Sequence, residues 1–207
     1  MRGDERRAFV VVMVLAMFNQ ASGSTSVINY APTLFEEQGV ESSAKASLIA
    51  SLIGASKLIG VVVAFVLVDR AGRRFLLIFG SVGSSVCLAL LAVSDAISSV
   101  TLLAIWMCLF IFFFSMSWAE VFWIILAEVF SMKHKSAAMA ACTATLFMFG
   151  SAADLLFLTI RSSLGFFSFV LYSIIALLGG VFVFLYLPET KGKSLKEVQQ
   201  AFCFHGS

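Results

Sequence analysis

The sequence predicts an all-α membrane protein of six spanning helices, and three observations predict it. Of 207 residues, 60% are hydrophobic and only 13% charged, whereas a soluble domain carries about 45–50% apolar and about 25% charged residues. Six stretches reach the run of about 20 apolar residues that a spanning helix needs. The basic residues gather on every second connection. A mean hydropathy of +1.01 excludes a soluble globular domain, and 22 Phe against 2 Pro excludes a disordered one. A net charge of +2 is too small to point to nucleic acid.

The predicted spans are 8–31, 46–68, 75–93, 100–126, 136–160 and 164–187. They divide the chain into a segment 1–7, a transmembrane domain 8–187 and a tail 188–207. The fourth is the longest, so it tilts or emerges beyond the bilayer. Pro32 and Pro188 fall just past span ends and interrupt no helix. Arg6 and Arg7 ahead of an apolar stretch, with small residues following at Ala21 to Ser24, also fit a signal peptide; the polar cluster after Met17 argues against that reading. Arg2, Arg6, Arg7, Arg70, Arg73, Arg74, Lys133, Lys135, Lys191, Lys193 and Lys196 lie on one side, against Lys45 and Arg161 on the other. Cytoplasmic loops carry the excess of Lys and Arg, so both termini are expected in the cytoplasm, in the plasma membrane or an organelle membrane.

The first span is apolar to Phe18 and then turns polar. At 100° per residue, Asn19, Ser22, Gly23, Ser26, Asn29 and Tyr30 share an arc of roughly 120°. Lipid leaves such groups unsatisfied, so this face meets protein or water. Two readings remain open: helix packing through small polar residues, or a hydrated cavity in which amides donate to and accept from a polyhydroxylated ligand. Gly23 permits a bend there. The fourth span is rich in aromatics, most of them packing or facing lipid, while one or two suit stacking on a sugar ring. Asp69-Arg70-Ala71-Gly72-Arg73-Arg74 makes a tight turn, and its Arg forks are suited to pairing with Glu128. Cys87, Cys108 and Cys142 lie in apolar runs and Cys203 in the tail. His134 and His205 are far apart, so no metal-ligand set appears. No nucleophile–base pair points to an enzyme and no selectivity-filter sequence to a channel. No cofactor is implied.

Four motifs resemble the sugar porter family of the major facilitator superfamily, in its C-terminal half. Asn19-Gln20-Ala21-Ser22-Gly23, continuing through Tyr30-Ala31-Pro32 to Gly39, is similar to the signature of the family's seventh helix. The Asp69–Arg74 run resembles its loop between helices eight and nine. Ala127-Glu128-Val129-Phe130 with Lys135 resembles the element after helix ten, and Pro188-Glu189-Thr190-Lys191-Gly192 the motif after helix twelve. The resemblance implies half of a major-facilitator fold, a 3+3 inverted repeat, carrying a sugar or polyol by alternating access, as a uniporter or with protons. It implies substrate contacts at Asn19, Gln20, Thr25, Asn29 and Trp123, and a gating charge network of Asp69, Arg70, Arg73, Arg74, Glu128 and Lys135. The sequence departs from the family at Asn19, at Thr25, at Ser115 and in the absent prolines before Trp123. The polar positions of helix eleven align with Leu146 and Gly150 and its aromatic with Phe147, so the sugar contacts of that helix do not carry over. These departures fit a different substrate or a non-transporting interaction module. The family has twelve helices. A missing N-terminal half or a second chain is therefore the expected partner, with membrane lipid, and the chain reads as a fragment, a half-length protein or a remnant.

Lys57 lies at the middle of its predicted span, roughly 16 Å from either surface, beyond the reach of snorkelling. Asp154 has a candidate partner in Arg161, seven residues on. That leaves Glu120, so the sequence predicts a direct or water-bridged intramembrane Lys57–Glu120 pair that fixes these helices, with a hydrated cavity around Lys57 as the alternative.

Overall fold

The computed structural model describes residues 3–39, 42–131, 134–193 and 197–198. Arg2, Lys133, Lys196, Cys203 and His205, with most of the predicted tail, lie outside the described residues. Of the described residues, 88% are helical, and among them six helical stretches are long and apolar enough to cross a membrane. They run Arg6–Asn29, Ala44–Ala71, Arg73–Ala96, Val100–Val129, Lys135–Leu164 and Phe167–Tyr186. All six predicted spans are present, most of them extended by a turn at one end.

Two of the six are not continuous. The first consists of α1 (Gly3–Ala21) and α2 (Ser24–Asn29), followed by α3 (Ala31–Glu37). The break falls at Gly23, whose φ of 72° is left-handed. The ring of Tyr172 fills the space where a side chain would go, with an atom 2.6 Å from an ideal Cβ. Backbone angle and packing therefore both demand glycine. Pro32 then sits in the first turn of α3, where its missing N–H costs no helical bond.

The fourth span consists of α6 (Val100–Phe114), a π-helical turn Ser115–Ala119 and α7 (Glu120–Val129). A π turn widens the helix and frees a carbonyl. Here Asn19 takes one, donating through Nδ2 to the Trp118 carbonyl at 2.9 Å. The remaining elements are α4 (Ser43–Ala71), α5 (Arg73–Ala96), α8 (Lys135–Leu164) and α9 (Phe167–Tyr186).

The helices pack around two apolar clusters. One gathers Leu15, Leu76, Leu77, Phe122 and Leu126 toward the Arg73 end. The other gathers Leu34, Leu88, Met107, Phe110, Phe157 and Phe169 toward the Asp95 end. Polar groups lie buried between them, and several pair across helices within the protein. Trp118 Nε1 donates to Ser81 Oγ at 2.8 Å, and Ser85 and Ser173 share a hydrogen bond of 3.0 Å. Such bonds join helices where lipid offers no partner. In α4 and α8, 22% of the apolar stretch is buried, against 44–56% in the other four spans. These two helices expose the bundle's least covered faces.

Candidate functional site

The polar row of the first span folds into one hydrogen-bonded chain. Asn19 is anchored on the π turn, Gln20 Nε2 donates to Asn19 Oδ1 at 3.3 Å, and Thr25 Oγ1 donates to Gln20 Oε1 at 2.9 Å. The hydroxyls of Ser22 and Ser24 donate to the Asn19 carbonyl, which the break at Gly23 has released from the helical ladder. Asn19, 4% exposed, is spent on helix packing. Asn29 is exposed, and its amide donates to Asp154 of α8. Gly150 of α8 faces Gln20, whose Oε1 lies 3.0 Å from an ideal Cβ. The small residue on α8 thus makes the room that Gln20 occupies. Trp123 lies on α7, 39% exposed, against the ring of Phe122 at 5.4 Å. No hydrogen bond joins it to the row among the described residues.

Asp154 corrects one expectation. Its Oδ1 accepts from Ser26 Oγ at 2.6 Å and its Oδ2 from Asn29 Nδ2 at 3.0 Å. Arg161, its expected partner, is engaged elsewhere. Arg161 Nη2 donates to Asp95 Oδ1 at 2.9 Å and to Glu37 Oε2 at 3.0 Å, and Nη1 donates to Asp95 Oδ2. Gln38 Nε2 also donates to Asp95, at 2.9 Å. Asp154 and Arg161 share a helical face but stand seven residues, or roughly 10 Å, apart along the axis. Partners on other helices are nearer.

No direct ion pair joins Lys57 and Glu120 among the described residues. Lys57 is exposed and lines a groove of about 470 Å³ with Ile28, Pro32, Ile53 and Gly54. Glu120 opens α7 and is half-buried. The groove that Lys57 lines is shared with residues of α2 and α3, and Glu120 directly follows the π turn.

The charged end is built around the turn between α4 and α5. Gly72 has φ 93° and approaches Glu189, whose Oε2 is 2.6 Å from an ideal Cβ. The Glu189 carboxylate accepts from the backbone N–H groups of Arg73 and Arg74, at 3.0 and 3.2 Å, and so caps α5. A carboxylate at a helix N-terminus meets both orphan donors and the positive end of the dipole. Arg73 Nη2 lies 2.8 Å from Glu128 and 3.1 Å from Asp69. Thr190 Oγ1 donates to the other oxygen of Glu128 at 2.9 Å, and Lys191 Nζ to the Arg70 carbonyl at 2.6 Å. The Arg74 guanidinium stands over the Phe184 ring at 5.3 Å. Lys135 begins α8 and forms no ion pair among the described residues. Of the charge network expected from sequence, Asp69, Arg73 and Glu128 form one cluster. Glu189 and Thr190, not singled out as site residues, tie it to the segment after α9.

Comparison with known proteins matches residues 1–202 to the family described as "Sugar (and other) transporter". The chain is 36% identical over 200 residues to the probable metabolite transport protein CsbC of Bacillus subtilis (strain 168), covering 94% of this chain and 43% of that protein. It is 31% identical over 199 residues to the glucose transporter GlcP of Staphylococcus epidermidis, covering 93% of this chain and 44% of that protein. Among solved structures, a double-tryptophan mutant of XylE superposes with a TM-score of 0.89 at 26% identity, over 95% of this chain and 43% of the other. The proton:xylose symporter XylE bound to 6-bromo-6-deoxy-D-glucose gives 0.85 at 27% identity, over 94% of this chain and 42% of the other. The chain thus spans less than half the length of these relatives.

Proposed function

The chain belongs to the sugar (and other) transporter family and forms half of a major-facilitator fold, and from that premise we propose that it is the C-terminal half of a carrier for a sugar or polyol. It is an integral multi-pass membrane protein, of a family of carriers rather than enzymes. A second six-helix half supplies the opposite wall of the cavity, against the uncovered faces of α4 and α8. The two halves rock about a central site to give alternating access, with protons as the candidate co-substrate. Both termini lie in the cytoplasm, so the Arg73–Glu128 cluster fastens the cytoplasmic end while the cavity opens outward. The arrangement that supports the reading best is the polar row at the break in the first span. Gln20, Thr25 and Asn29 bring amide and hydroxyl groups, which donate and accept together, to a helix interruption on the bundle's open side. A polyhydroxylated ligand needs that mixture.

The test is uptake of radiolabelled sugars and polyols into proteoliposomes. The chain alone is expected to insert without saturable uptake. The chain reconstituted with an N-terminal six-helix half from a relative is expected to give saturable, stereoselective uptake. Uptake by the chain alone would instead make the second half another copy of itself. Absence of uptake from a properly inserted pair, across a panel of sugars and polyols, would refute the carrier reading.

A further inference from the structure

Lys57 stands fourteen residues from each end of α4, Ser43 and Ala71, or roughly 21 Å from either. It is exposed, and no ion pair compensates it among the described residues. The acids nearest the outer end are engaged elsewhere. Glu37 and Asp95 hold Arg161, and Asp154 accepts from Ser26 and Asn29. A cation at that depth is costly, and it persists where it meets a hydrated cavity or a ligand that passes through one.

The two-sidedness of α2 places that charge. Ser24, Ser26 and Val27 are buried, while Thr25, Ile28 and Asn29 are not. At 100° per residue, Thr25 and Asn29 stand side by side, with Ile28 on one flank and Ser26 on the other. The Ile28 flank borders the groove that Lys57 lines, and the Ser26 flank is bonded to Asp154 of α8. Lys57 and Asp154 thus lie on opposite sides of one polar stripe, to which Gln20 is joined through Thr25. The groove measures about 470 Å³, within the range of about 300–1,000 Å³ usual for small-molecule sites. Apart from Lys57 and Ser47, its lining side chains are apolar or absent. Such sites pair an apolar wall with a few polar groups that fix orientation.

We propose that the site selects a sugar acid, a polyhydroxylated substrate bearing a carboxylate, and that Lys57 is the residue that receives the carboxylate. The hydroxyls of such a substrate meet the Thr25 hydroxyl and the Asn29 amide, which donate and accept. The Asp154 carboxylate keeps acceptor capacity beyond the bonds from Ser26 and Asn29, and takes further hydroxyl donors on the far side of the stripe. A sugar acid brings the counter-charge that the fold does not supply. A neutral sugar would leave the ammonium unpaired once the cavity closes, and that penalty discriminates against it. An acid on the second half, set against Lys57, would cancel this selectivity. The inference rests on the carrier reading above and adds to it the charge of the substrate.

The experiment is equilibrium binding of radiolabelled D-glucuronate and D-glucose to the full chain assembled with an N-terminal six-helix half of a relative, in lipid nanodiscs, where no membrane potential acts on the anion. At about pH 7 the carboxyl group of glucuronate is ionised. The wild-type assembly is expected to bind glucuronate at least about tenfold more tightly than glucose, the worth of a hydrogen bond to a charged group. D-glucuronamide, of the same shape without the charge, should compete no better than glucose. Lys57→Gln should abolish the preference, Lys57→Glu should reverse it, and Lys57→Arg should keep it. Glucose bound as tightly as glucuronate by the wild type overturns the substrate charge and leaves the carrier reading standing. A glucuronate preference that survives Lys57→Gln overturns the role of Lys57. Binding of neither ligand, nor of any sugar or polyol in a panel, sinks the carrier reading and this inference with it.

Discussion

Removing the guanidinium of Arg161 is expected to be far more damaging than removing either end of an exposed ion pair. Arg161 joins three helical elements: α8, the end of α5 through Asp95, and α3 through Glu37. The two pairs differ in environment. The Asp95 side chain is 5% exposed and the Glu37 side chain 45%, against 11% for Arg161 itself. Truncating one partner of a buried pair leaves an uncompensated charge and costs about 3–5 kcal/mol. An exposed pair is worth about 0–1 kcal/mol. The guanidinium also stands over the Phe169 ring at 5.3 Å, which adds about 0.5–1 kcal/mol. Arg161→Met is therefore expected to cost about 3–5 kcal/mol, and Glu37→Gln less than about 1 kcal/mol. Adding Asp95→Asn to Arg161→Met neutralises the stranded carboxylate and should recover more than half of the loss. Arg161→Lys keeps the charge but not the bidentate fork, and should fall between. Reversible unfolding in mixed micelles, followed by Trp fluorescence, measures all four. If Arg161→Met costs no more than Glu37→Gln, or if Asp95→Asn makes Arg161→Met worse, the buried pair does not hold these helices.

Glu189→Ala should destabilise by about 1–2 kcal/mol, because it leaves the first donors of α5 uncapped at the positive end of the helix; the same unfolding assay reads it, and a change within error would remove the capping role. Charge reversal at Arg73 or Glu128 should shift cavity accessibility toward the inward-open form in a two-half assembly, measured by labelling a cysteine placed at Asn29, and the double reversal should partly restore it. In the same assembly, Gln20→Ala should weaken sugar binding by about 0.5–1.5 kcal/mol, the worth of one hydrogen bond, with normal insertion; unchanged affinity would assign Gln20 to packing alone. Cysteine at Lys45 or Ser98 should react with an impermeant reagent from outside the cell, and cysteine at Arg73 or Lys193 should not; the opposite pattern would invert the proposed orientation.

The six spans were legible because apolar length and the placement of Lys and Arg are properties of sequence alone. So was the bend at Gly23, since one glycine among small polar residues marks where a helix can open. The π turn was not legible. Nothing in Ser115-Met116-Ser117-Trp118-Ala119 announces an extra residue per turn, and its stabilising contact comes from Asn19, 99 positions away. The charged turn was half legible. Arg73 and Glu128 carry their affinity in their charges, but the cap on α5 depends on the segment after α9 folding back to place Glu189 beneath Gly72.

The intramembrane charges show the limit most clearly. Matching Lys57 to Glu120 and Asp154 to Arg161 used depth and helical face, which constrain a residue along and around its own helix only. Which neighbouring helix comes nearest is a tertiary fact. Asp154 meets Ser26 and Asn29 because the break at Gly23 swings α2 against α8. Arg161 is then left for Asp95 and Glu37, two acids that lie outside the predicted spans and so never entered the matching. A charge in a membrane is partnered by whatever the fold brings to its depth. For Asp154 that is a neutral hydroxyl and an amide from α2, and for Arg161 two carboxylates from α5 and α3.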